Sequence, residues 1–152
     1  MAWFRSADPA PPVSRVGSIE ISRPWARASS LQALEAGGFL TIANRGDTPD
    51  RLIAAASPAA EKIEVHAIRV VGSAIAMKRL DNGLALPVAT TLTLKPRGYH
   101  LLLQGLRAPL AEGTRLPVRL TFENAGSIEI ELTVEAAGLV GRDVLNEELQ
   151  PR

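Results

Sequence analysis

Cysteine is absent from the 152-residue sequence, which removes disulfides, thiolate metal sites and cysteine nucleophiles together. Histidine and methionine are almost absent too: besides Met1 there are only His66, His100 and Met77. Any site built on imidazole or thioether has three residues to draw on. Charge of one sign is also missing. Seventeen Lys and Arg face sixteen Asp and Glu, a net charge of +1, so there is no field to attract a phosphate backbone, and nucleic acid is not an expected partner. No uninterrupted apolar run approaches the roughly 20 residues of a spanning helix, so membrane insertion is not expected. The first sixteen residues, MAWFRSADPAPPVSRV, lack the basic start and the apolar stretch of about 7–15 residues that make a secretory signal. By themselves they leave the compartment open between export and cytoplasm.

The usual catalytic signatures are missing as well. There is no G-x-S-x-G nucleophile elbow, no glycine-rich phosphate loop, no H-E-x-x-H and no G-x-G-x-x-G. Paired carboxylates such as Glu129 and Glu131 alternate with apolar residues, as they do on the solvated face of a strand. The chain therefore reads as a non-enzyme.

What is present is period two. Leu116, Val118, Leu120 and Phe122 alternate with polar residues, and so do Ile128, Ile130, Leu132 and Val134. Glu123-Asn124-Ala125-Gly126 between the two runs predicts a hairpin. Further strands are expected at 18–22, 38–44, 63–66, 74–79, 91–95 and 99–103, bounded by Gly-, Pro- and Asn-rich turns. Only Leu31 to Ala36 looks briefly helical. Many short strands with such punctuation, 46% hydrophobic residues and this length make one all-β domain, a Greek-key β-sandwich. The expected boundaries are a flexible segment over 1–16, the sandwich over 17–135 and a tail over 136–152. Neither the charge balance nor the short strands call for more than a monomer.

Alternation also sorts the scarce residues. Ile63 and Val65 should enter the core, leaving His66 on the other face. His100 and Leu102 share one face of their strand, Leu101 and Leu103 the other; both sets are largely apolar, so alternation does not say which is buried. Two imidazoles and one thioether form a soft-to-borderline donor set suited to Cu(I) rather than to hard cations. Core filler is the competing use of a lone methionine.

The segment from Ile19 to Val134 resembles the PCuAC family of periplasmic copper chaperones. The landmarks are Pro24-Trp25-Ala26-Arg27, the run from Gly37 to Asp47 (GGFLTIANRGD), Asp50-Arg51-Leu52, Ser57-Pro58-Ala59-Ala60, Glu64-Val65-His66, Leu94-Lys95-Pro96, Gly98-Tyr99-His100, Gly105-Leu106 and Leu120-Thr121-Phe122-Glu123. The resemblance implies a cupredoxin-like fold, a periplasmic location and delivery of copper, as Cu(I), to a receiving protein such as the copper subunit of cytochrome oxidase. The family's metal signature is a His, a Met ten residues on, and a His-x-Met pair after a longer spacer. His66, Met77 and His100 match it, with ten residues between the first two and twenty-two between the last two. The final methionine does not match: Leu102 stands in its place, keeping the bulk and deleting the donor. A second reading follows from that loss, in which the domain has given up metal and serves as a binding module, with an apolar patch around Leu102 as its contact.

Overall fold

The computed structural model describes residues 13–28 and 34–136, apart from the side chain of residue 69. Among these residues the chain forms eleven strands and no helix: β1 (Val13–Val16), β2 (Ile19–Arg27), β3 (Glu35–Asn44), β4 (Asp50–Ala56), β5 (Ala60–Val71), β6 (Ala74–Arg79), β7 (Leu84–Leu86), β8 (Thr91–Thr93), β9 (His100–Leu106), β10 (Arg115–Phe122) and β11 (Gly126–Glu135). Seven strands close on themselves in the order β2-β11-β10-β4-β5-β9-β3, with β3 returning to β2. Each pairing in that ring is antiparallel except β11 against β2. The all-β sandwich expected from alternation, cupredoxin-like as the family resemblance implies, is the fold, and closure leaves the ring without a free edge. The remaining strands attach to it: β1 to β2, β6 to β5, β7 to β4 and β8 to β3.

The core follows the pleat. In β10, Leu116, Val118, Leu120 and Phe122 are buried while Arg115, Pro117 and Arg119 are exposed. Ile130, Leu132 and Val134 do the same in β11, with Glu129 and Glu131 in solvent as expected. Ile63 and Val65 of β5 meet Leu103 and Leu101 of β9 across the ladder, and all four belong to the core. The ambiguity of the β9 run is thereby resolved: Leu101 and Leu103 point inward, and His100 and Leu102 lie on the other face.

Two polar anchors fix the turns around this core. Asn44 is buried, donates to the carbonyls of Thr48 and Leu86, and accepts from the Gly46 N–H. Its satisfied amide explains how a polar group can end β3 inside the protein. The Asp50 carboxylate accepts from the backbone N–H groups of Asn124 and Ala125, clamping the β10–β11 hairpin.

The strand reading changes at three places. Val13–Val16, within the segment expected over 1–16, pairs with β2 as an added strand. Glu35 and Ala36, read as the end of a short helix, begin β3, where Glu35 pairs with Gln104 and Ala36 with Leu103; residues 29–33 lie outside the described residues. β4 is not among the expected strands: its Arg51-Leu52-Ile53-Ala54-Ala55-Ala56 run does not alternate and has one fully buried side chain, Leu52. Pairing with β10 and β7, not alternation, makes it a strand. The expected tail from Ala136 falls, after that residue, outside the described residues.

Candidate metal site

β5 carries the site between two neighbours, β6 on one side and β9 on the other. Directly opposed residues of an antiparallel ladder share a face. His66 lies opposite His100 on β9 and opposite Arg79 on β6. Two positions along, Glu64 faces Leu102; two positions the other way, Ile68 faces Met77. All of these residues therefore occupy one face of the three strands. Met77 is a diagonal neighbour of His66 and Leu102 the diagonal neighbour on the opposite side, a separation long side chains can bridge.

The two histidines are close. Their ring centroids are 5.8 Å apart, with the rings inclined by 33°. A metal bound at about 2 Å from nitrogen lies about 3.2 Å from the ring centre, so two rings holding one ion can be separated by up to about 6.4 Å. The observed spacing fits within that span. Both histidines are 8% exposed, whereas Met77 is 53% exposed. Buried nitrogen donors thus sit beside a thioether that solvent and a partner can reach.

Each ring is held through one nitrogen. The Nδ1–H of His100 donates to the Gly98 carbonyl over 2.9 Å. His66 Nε2 lies 2.9 Å from Glu64 Oε1, and its Nδ1 is buried without a hydrogen-bond partner. An orphaned buried nitrogen is costly unless something fills its lone pair. The other carboxylate oxygen of Glu64 takes Lys62 Nζ and Arg79 Nη1, each at 3.2 Å, and Arg79 Nε is held by Asp81 at 2.6 Å. Hydrogen bonds from His66, then Lys62 and Arg79, hold the Glu64 carboxyl down at about 2. Burial lowers His100 below the ordinary imidazole value, against the opposing Gly98 carbonyl and with a smaller push from His66. His100 accordingly keeps a free lone pair to lower pH than an exposed histidine.

Among the described residues no group of three or more His, Asp and Glu side chains is placed to hold a metal ion. Met77 is the thioether on the face of the imidazole pair. Leu102 sits on that face half-buried. More strongly exposed apolar side chains, Val70, Val71, Ile75 and Met77, are grouped on the β5–β6 hairpin. The sequence reading did not single out Glu64 for the site. Its position two residues before His66, on the same strand face, was the available signal.

Known proteins share this arrangement of strands. A copper-bound PCuAC domain from PmoF2 is 29% identical, with a TM-score of 0.72, over 82% of this chain and 98% of that one. The apo PCuAC domain from PmoF1 is 28% identical with a TM-score of 0.70, over 82% and 99%. Cu(I)-DR1885 from Deinococcus radiodurans is 25% identical with a TM-score of 0.65, over 86% and 84%. By sequence, the "Putative lipoprotein Lxx21020" of Leifsonia xyli subsp. xyli is 27% identical over 124 residues, 82% of this chain and 74% of that protein. Residues 19–134 match the family model described as "Putative lipoprotein LpqE-like". The resemblance seen in the sequence landmarks is thus met by both the fold and the family model, and the chain belongs to the LpqE-like family with the architecture of a PCuAC domain.

Proposed function

We propose that this protein is an extracytoplasmic Cu(I) carrier that holds the ion at His66, Met77 and His100 and passes it to a copper-receiving protein, such as one bearing the copper centre of a respiratory oxidase. The observation that carries the reading is the opposition of His66 and His100, 5.8 Å between ring centres, on a face that also bears Met77. Copper in the related PmoF2 and DR1885 domains supports the choice of ion. The lipoprotein names of the family and of the Leifsonia relative support a place outside the cytoplasm.

Transfer on this reading is ligand exchange without change of oxidation state. The buried imidazoles hold the ion while the exposed thioether is the donor most easily replaced by one from the partner. Leu102 leaves the fourth position without a protein donor, which loosens the ion's hold and opens the place a partner ligand enters. Neutral nitrogen and sulfur donors suit a soft monovalent ion.

The test is an anaerobic competition titration with Cu(I) under reducing conditions. One equivalent should bind, and a His66→Ala/His100→Ala double variant should lose it. Absence of binding tighter than micromolar in the unaltered protein overturns the proposal and favours the metal-free binding module.

A further inference from the structure

We infer that Glu64 is a positioning residue for the metal site: it holds His66 in its Nε2–H form, so that His66 meets a cation through Nδ1 while His100 meets it through Nε2. This rests on the copper-site reading above, and adds which atoms bind and what sets them.

The argument is one of donors and acceptors. An ionised carboxylate only accepts, as does a backbone carbonyl. Glu64 therefore takes a proton-bearing Nε2 from His66, and Gly98 takes a proton-bearing Nδ1 from His100. A neutral imidazole carries one N–H, so the free lone pair is on Nδ1 of His66 and on Nε2 of His100. The Nδ1 of His66 is the buried nitrogen that has no hydrogen-bond partner. Opposite tautomers on two facing rings are the consequence of two different acceptors.

Glu64 is itself fixed. Lys62 and Arg79 both engage Oε2, from its own strand and from β6, and this turns Oε1 to His66. Arg79 stands opposite His66 in the ladder, and Asp81 holds it there. The chain Asp81–Arg79–Glu64–His66 thus links the strand that bears Met77 to the ring of the first histidine. Carboxylates that orient metal-bound histidines are worth about 10- to 100-fold in metal affinity.

The experiment is long-range 1H–15N correlation of the two imidazoles in the full-length protein, without metal and with Ag(I) as a redox-inert probe for Cu(I), alongside affinity measurements. Without metal, His66 should show a protonated Nε2 and His100 a protonated Nδ1; Ag(I) should then move Nδ1 of His66 and Nε2 of His100. Glu64→Ala should blur the His66 tautomer and weaken Ag(I) binding by about 10- to 100-fold, with His100 keeping its tautomer. Glu64→Gln keeps the shape but has one oxygen, which Lys62 and Arg79 claim; its NH2 group then faces Nε2 of His66 and should move the His66 proton to Nδ1, with His100 and the fold unchanged, which separates positioning from a general loss of structure. A metal-induced shift on Nε2 of His66, or an unchanged tautomer and affinity in Glu64→Ala, overturns the inference and leaves the copper site standing. Silence at both rings overturns the copper site, and this inference with it.

Discussion

The site depends on which face of β9 enters the core, and neighbouring leucines test that directly. Leu103 is fully buried and Leu102 only half-buried. Truncating Leu103 to Ala removes three carbons, about 2.4 kcal/mol at about 0.8 kcal/mol per buried methylene. The cavity left behind raises this to about 3–5 kcal/mol, since the surrounding strands collapse only in part. Ile63 of β5 and Ala36 of β3 flank Leu103 on its two sides, in two separate ladders, so relaxation is limited. For Leu102→Ala, partial exposure and the lack of an enclosed cavity leave about 1 kcal/mol. In a chain of this size the larger loss lowers the melting temperature by about 6–20 °C and the smaller by about 2–4 °C. Urea denaturation of both variants, fitted with a common m-value, measures the difference. Equal losses, or a greater loss for Leu102→Ala, would refute the assigned pleat. His100 would then no longer share a face with His66, and the candidate site would fall with it.

Restoring the missing donor by Leu102→Met should leave stability within about 1.5 kcal/mol, as volume-conserving swaps do, and should tighten Cu(I) binding in the same competition titration. Stability should fall as pH drops through about 6.5. His100 has a lowered folded value, so the unfolded chain takes up its proton first; the contribution is fully present above the unfolded value and is lost towards the folded one. A His100→Gln variant should flatten that part of a pH-stability profile. Glu64 should add a second decline at lower pH, from about 4.5 towards about 2, that Glu64→Gln removes. Gly83 has φ +82°, and a Cβ there would run into the Leu52 carbonyl oxygen; Gly83→Ala should lower the thermal midpoint well beyond the effect of the same change at Gly72, where a Cβ meets nothing within 4 Å.

Most strands were legible because extended backbone turns successive side chains to opposite faces, a property that each short segment carries alone. Alternation located β10, β11 and the hairpin between them, and it set His66 opposite the core-facing Ile63 and Val65. Scarcity, together with the spacing shared with the PCuAC signature, made His66, Met77 and His100 the candidate ligands. β4 and β7 escaped because Ala-rich or three-residue strands carry no pattern of their own and exist through their partners.

Face and identity were therefore local matters, readable residue by residue. Adjacency was not. β6 folds back from β5 as a local hairpin through Gly72-Ser73 and brings Arg79 onto Glu64, but that β9 lies beside β5, bringing His100 across from His66, depends on pairing between distant segments. Backbone hydrogen bonding is indifferent to side-chain identity, so no short stretch names its own neighbour. Only closure of the whole barrel, which buries all the inward faces together, selects which strands meet.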